Sequence, residues 1–522
     1  MVSLYFGSAL PTKIAKAPMF QPQFRKSDRF WLASAATLML MLMMPVALPR
    51  IVQAAERVVT VNSLQFVDKG LVAVGRIPAN QRDKFGETFG SGSGMSVERS
   101  TWRRTATGYQ GNFVLLPDRG YNVEGTTDYR ARLNKLSIQL VPHLGAAPPP
   151  TDMQQTGVKA MLVDTILLTD VAGEYMTGLD PEAVRPPGTG LPALPLAKNG
   201  HVSIDPEAIV RMADGSYFIS DEYGPYIYRF SAEGKMVAAI RPPEAFIPMR
   251  KGAENFSSNN PGPGAAIPEP PNPNSGRQNN QGFEGMSLTP DGRHLVVILQ
   301  SATRQDGGNS AATRRYTRML FYDLSTANQP RLDAEYVVPL PVFDAAGVTL
   351  VAAQSELVAL GATKFLLLAR DSNNGYGKKG AQSVFRKIMI LDTEGATNIA
   401  GSEFDGLKPV APKGVLDAAV KPVTLTPFID LNDNAQLNRF GLHSGLPNDR
   451  NNLSEKWEAV SLVSVLDPAA PDDYFMFVIN DNDFITQDGF QVGASYKDAS
   501  GADVDTTMLV YRVTLPKELK PY

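Results

Sequence analysis

The 522-residue chain contains no cysteine. That absence excludes disulfides, zinc ribbons, iron–sulfur clusters and thiol nucleophiles together. Histidine is nearly as scarce: His143, His201, His294 and His443 are the only four, and none forms an HExxH-type pair. A multi-histidine metal site is therefore disfavoured, and any metal needs carboxylate ligands. There is no G-x-S-x-G elbow, and the adjacent His443 and Ser444 make no dyad, because neighbouring strand residues point to opposite faces. Residues 375–380 spell G-x-G-x-x-G, but a strand-like run follows where a phosphate-binding helix is needed. The run 430–434 begins like an EF-hand loop, yet Ala435 replaces the turn glycine and Gly441 the bidentate glutamate. Long amphipathic helical stretches are missing too.

What the chain does have is apolar content and turns. With 43% hydrophobic and 20% charged residues it can bury a large core, and 44 Gly with 40 Pro, lacking any collagen period, point to a turn-dense β fold. Short β-branched and aromatic runs recur at 215–220, 294–299, 365–369, 387–391 and 474–479. Several follow a hairpin dipeptide such as Asp214-Gly215 or Asp291-Gly292. Segments 146–150, 185–200 and 257–281 read as Pro/Gly-rich loops, the last with six prolines and too polar to pack a core.

Near the start, Arg25, Lys26 and Arg29 precede an apolar run over 30–48 and then Val-Gln-Ala at 52–54. This is the pattern of a signal peptide over 1–54, with Met19 as an alternative start, cleavage expected after Ala54 and no stable membrane insertion afterwards. The expected location is periplasmic or secreted. Removing the leader takes away six basic residues and one acidic one, moving the formal charge from −3 to −8. Broad nucleic-acid binding is thereby disfavoured. A monomer acting on a small molecule is expected.

A weak repeat orders the rest. Asp205-Pro-Glu207 leads to Asp221-Glu222, Gly282-Phe-Glu284 to Gln300-Ser301, Gln354-Ser-Glu356 to Arg370-Asp371, and Lys456-Trp-Glu458 to Asn480-Asp481-Asn482-Asp483. A first unit, Gly92-Ser-Gly94, lacks the glutamate and leads to Asp118-Arg119. The glutamates are 77, 72 and 102 residues apart, which suits four-stranded blades carrying loop insertions. The expected fold is all-β: a β-propeller of about six four-stranded blades, with 507–514 pairing near 58–62 to close the ring. The innermost strand of each blade lines a central channel, so Glu207, Glu284, Glu356 and Glu458 converge there. They repel one another unless a cation, Ca²⁺ or another divalent ion, lies between them or some stay protonated. The alternative is that each serves only the fold by accepting backbone N–H bonds. Asp118, Arg119, Asp221, Glu222, Arg370 and Asp481 are the candidates for catalysis, the arginines for holding an anion or developing charge. Lys378 and Lys379 lie beside these strand ends.

Seven pieces in order, Asp118-Arg-Gly, Asp221-Glu-Tyr-Gly-Pro, Gly282-Phe-Glu-Gly-Met, Arg318-Met-Leu-Phe-Tyr-Asp323, Ser355-Glu-Leu with Arg370, Ile390-Leu-Asp-Thr-Glu-Gly-Ala396, and Lys456-Trp-Glu-Ala with Asp481-Asn-Asp-Phe484, resemble the phytase-like (esterase-like activity of phytase) family over about 58–516. Ala459 and the 480–483 run depart from its pattern. The resemblance implies an exported bacterial β-propeller hydrolase of ester or phosphoester bonds, metal-dependent. A calcium-dependent lactonase and a non-catalytic propeller binding a ligand or protein in its channel are the other readings.

Overall fold

The hydrophobic runs become strands that bury both faces. Phe283–Leu288, Ala353–Ala359 and Asp473–Asp481 are buried at every position, as expected of strands sandwiched between neighbouring sheets. The computed structural model describes residues 56–521 except 91, 189, 326–329, 373–374 and 379–381. The predicted leader and Lys379 lie outside the described residues. No helix among the described residues is long and apolar enough to cross a membrane.

The fold is a β-propeller. Blade one comprises Gly94–Arg104, Tyr109–Leu116, Arg132–Leu140 and Val158–Leu167. Blade two follows with Pro206–Arg211, Tyr217–Asp221, Ile227–Phe230 and Met236–Ile240; blade three with Phe283–Leu288, His294–Leu299, Tyr316–Asp323 and Arg331–Pro339. Blade four holds Ala353–Ala359, Lys364–Arg370, Arg386–Asp392 and Thr424–Asp430. Blade five takes Lys456–Ser464, Asp473–Asp481 and Thr506–Thr514 from the end of the chain and its outer strand, Leu64–Ile77, from the beginning. The described residues thus form five four-stranded blades rather than about six. Length misled because it went into connections instead of blades.

Ring closure also differs from expectation. Val74 pairs with Leu509 and Ile77 with Thr506, so the closing strand is 64–77 and not 58–62. Asn62 and Ser63 both take positive φ, 47° and 70°, and fold Arg57–Val61 back onto 64–68 as a hairpin.

Apolar side chains pack between neighbouring blades. Trp457, Leu462 and Val478 of blade five meet Leu366 and Ile388 of blade four. On its other side, Phe475 and Phe477 meet Phe113 and Leu136 of blade one. Similar clusters join the remaining neighbours, and at roughly 1.5–3 kcal/mol per large side chain they dominate the fold's stability. The inner strands are so close that a Cβ on Gly285 would lie 2.6 Å from the Leu357 nitrogen. They enclose a narrow channel of about 50 Å³ touched by Ser96, Ile209, Ser287, Val358 and Ser461, one residue from each blade.

Connections at the two ends of the channel are unequal. Where the inner strands begin, segments 117–131, 168–205, 241–282, 371–385, 431–455 and 482–505 build a mouth, whereas many turns at the far end are short. The Pro-rich 257–281 segment is a pinned wall of this mouth. Buried Arg250 donates to the Pro270 and Pro271 carbonyls at 3.0 and 3.1 Å, and fully buried Arg277 donates to the Tyr223 carbonyl at 2.9 and 2.7 Å.

Candidate functional site

Each inner strand breaks register with its neighbour near its glutamate: between Phe283 and Met286, between Gln354 and Glu356, and between Trp457 and Ala459. In blade two the extra residue likewise falls on the inner strand, where Pro206 pairs with Asp221 and Ile209 with Ile219 around Glu207. Such bulges re-aim a side chain at the rim of a sheet. The four glutamates then diverge in what they do.

Glu356 accepts backbone N–H bonds from Leu357 at 2.8 Å and Met286 at 3.2 Å, stitching blade four to blade three. Burial still holds its carboxyl well above the usual range. Glu458 pairs with Arg370, whose Nε also donates to the Ser355 hydroxyl at 3.0 Å. Glu284 accepts from the Gln300 amide through one oxygen, while its other oxygen is buried with no donor. Glu207 is 7% exposed and has no hydrogen-bond or ion-pair partner among the described residues.

Two groups of carboxyls form around these positions. In the first, Asp205, Glu207 and Glu222 each bring one oxygen within 4.8 Å of the others. Glu284 stands beside it, close enough for the Glu222 charge to raise its carboxyl. Burial, then the Asp205 charge, push Glu222 up to about 7. Burial and then the Glu284 charge hold Glu207 well above the normal range, and burial and then the Glu222 charge do the same to Glu284. Arg119 flanks the group: its guanidinium lies 3.0 Å from Asp205 and donates to Ser258 at 3.2 Å, while its Nε is buried without a partner.

The second group, Asp118, Asp481 and Asp483, already holds a cation. The Lys456 ammonium is 2.9 Å from Asp481, 2.8 Å from Asp483 and 3.9 Å from Asp118. Lys378 reaches across to Asp483 at 3.0 Å and Glu455 at 3.1 Å. Against the effect of burial, the two ammonium groups hold Asp483 well below the usual carboxylate range. Asp481, where burial prevails over Lys456, is pushed up to about 7. Asp118 is raised well above normal by burial and then by Asp481.

Asp221 and Asp371 cap turns. Asp221 accepts from the backbone of Asp205, Tyr223 and Gly224 at 2.8 to 3.0 Å, and Asp371 from Val384 and Phe385 at 2.7 and 3.2 Å. Sequence reasoning did not assign roles to Asp205 or Lys456. The signal was present: each stands two residues before a repeat glutamate, so strand alternation sends both toward the channel. Three oxygen ligands of the first group, from Asp205, Glu207 and Glu222, suit a hard cation such as Ca²⁺. The second group is occupied by ammonium.

Comparison with known proteins places the chain in context. A family model described as "Phytase-like: Esterase-like activity of phytase" matches residues 88–484. An uncharacterized secreted protein of the fungus Arthroderma benhamiae is 38% identical over 454 residues, covering 80% of this chain and 88% of its own. That relative does not carry a bacterial setting. Among solved structures, the luciferin-regenerating enzyme is 12% identical with a TM-score of 0.27, covering 86% of this chain and 97% of its own. The WD40 domain of Toxoplasma gondii coronin is 7% identical with a TM-score of 0.23, covering 86% and 88%. Likeness at this level carries no argument about chemistry.

Proposed function

Since the chain belongs to the phytase-like family, described by its esterase-like activity of phytase, we propose that the channel mouth is an active site hydrolysing ester or phosphoester bonds of a small molecule. The observation that carries this reading is the buried carboxyl cluster of Asp205, Glu207 and Glu222, oxygens within 4.8 Å of one another, with the Arg119 guanidinium against Asp205. A carboxyl held near 7 serves as a general base at neutral pH, where an ordinary glutamate is too weak.

In this reading Glu222 takes a proton from water, the water oxygen bonds to the acyl or phosphoryl centre, and the ester C–O or P–O bond breaks. The departing oxygen receives that proton back from Glu222. Arg119 stabilises the charge that develops on the substrate oxygen. With their carboxyls deprotonated, Asp205, Glu207 and Glu222 would hold a divalent cation, Ca²⁺ in our proposal, which would polarise the substrate and acidify water, Glu222 then acting as ligand in place of base. Glu356, Asp221 and Arg370 keep the mouth in shape, acting as positioning residues. The name of the fungal relative supports a secreted protein, and the proposed 1–54 leader would deliver it. A channel that only binds a ligand is the second reading, favoured by the backbone-bonding role of Glu356.

Glu222→Gln should lower kcat on the order of 10²-fold or more while circular dichroism stays unchanged. Glu207→Gln should remove any chelator sensitivity. Wild-type rates in a folded Glu222→Gln protein would sink the catalytic assignment, and turnover indifferent to chelator would remove the metal.

A further inference from the structure

We infer, on the strength of that hydrolase reading, that the substrate is a neutral carboxylic ester or lactone and that phosphate esters are rejected. The mouth collects nine carboxyls: Asp118, Asp205, Glu207, Glu222, Glu284, Glu455, Glu458, Asp481 and Asp483. Four cationic side chains oppose them, and each is engaged by a carboxylate. Arg119 is taken by Asp205, Arg370 by Glu458, Lys378 by Glu455 and Asp483, and Lys456 by the three aspartates. Arg277, the fully buried arginine on the Pro-rich wall, donates to the backbone carbonyls of Tyr223, Phe256 and Gln278.

A phosphate monoester carries between one and two negative charges near neutrality and is recognised by forked guanidinium or ammonium donors that are free to meet it. Among the described residues the mouth has no such free cation. A phosphate would therefore shed its hydration on entry with no free guanidinium or ammonium to offset the cost.

A carboxylic ester or lactone escapes that cost, because it enters uncharged. Negative charge appears only as water adds to the carbonyl carbon and collapses as the acyl C–O bond breaks, releasing a carboxylic acid and an alcohol. One hydrogen-bond donor then suffices, and Arg119 Nε, buried and without a partner, is such a donor. Its counterion Asp205 would hold the guanidinium in place during the step.

The test uses the full mature chain with p-nitrophenyl acetate and p-nitrophenyl phosphate, which share a leaving group, together with δ-valerolactone and phytate, each with chelator and with Ca²⁺. Calorimetric titration with inorganic phosphate and phytate runs alongside. The expected result is ester or lactone turnover with kcat/KM at least 10³-fold above that for either phosphate, and no heat from phosphate at millimolar concentration. Arg119→Lys, which keeps the charge and loses the Nε donor, should cut kcat on the ester tenfold or more with KM little changed. Comparable turnover of p-nitrophenyl phosphate, or tight phosphate binding abolished by Arg119→Lys, overturns the inference and leaves the hydrolase reading standing. Silence on every substrate overturns the hydrolase reading and the inference with it.

Discussion

Lys456→Met should cost about 3–5 kcal/mol of stability at neutral pH, the scale of breaking a buried ion pair by removing one partner. The methionine fills similar volume, so packing is not what is lost. What is lost is the ammonium between Asp481 and Asp483, at 2.9 and 2.8 Å, with Asp118 at 3.9 Å. Three buried carboxyls would then face one another with Lys378 as the remaining counterion, held at the edge of the cluster by Asp483 and Glu455. Adding Asp481→Asn to the variant should restore part of the loss, since an amide carries no charge to desolvate. Urea denaturation of the single and double variants measures both effects. A shift below 1 kcal/mol for Lys456→Met would mean that the cluster is protonated or hydrated in the native protein.

Stability should also fall as pH rises from 5 to 8. Glu222 and Asp481 are raised to about 7 in the folded chain, burial being the main cause in each. In the unfolded chain they titrate near their ordinary values of about 4. The folded state therefore holds protons that the unfolded state has released, and the stabilisation, complete below pH 4, drains away until the pH passes about 7. Each group contributes on the order of 3 kcal/mol over that window. Asp483, shifted the other way by Lys456 and Lys378, acts only below its ordinary value and does not offset the trend. Because carboxylates bind metal only when deprotonated, added Ca²⁺ should raise the melting temperature more at pH 8 than at pH 5. A melting temperature flat from pH 5 to 8, with or without Ca²⁺, would refute the retention of protons by Glu222 and Asp481 in the folded chain.

Much of the architecture was legible in the sequence. Dipeptides such as Asp214-Gly215 and Asp291-Gly292 mark hairpins whose glycines take φ of 87° and 70°, and the glutamate repeat marks the inner strands. Blade number was not legible, because connections such as 431–455 are longer than many strands and look like room for another blade. Nor was the closing partner, since the positive φ of Asn62 and Ser63, which folds 57–61 back onto 64–68 instead of onto 506–514, has no strong sequence signature. At the site, residue type alone placed four glutamates near one axis. Their separate fates depended on which partners the blades bring up: Arg370 to Glu458, Gln300 to Glu284, and the Met286 N–H of the neighbouring blade to Glu356. Only the third dimension distributes those partners.

The shared fifth blade makes assembly a late event. Val74 and Leu509 are neighbours on adjoining strands although 435 positions separate them along the polypeptide. While the chain is being made or threaded through a membrane pore, the 64–77 segment emerges early and must wait, its edge unmatched, until 506–514 follows. Non-local pairing of this kind slows folding and prolongs exposure of sticky strand edges. On the export route proposed above, the chain would cross the membrane before its ring can lock, and chaperones that shield a single β-edge would matter more to its yield than any that assist individual blades.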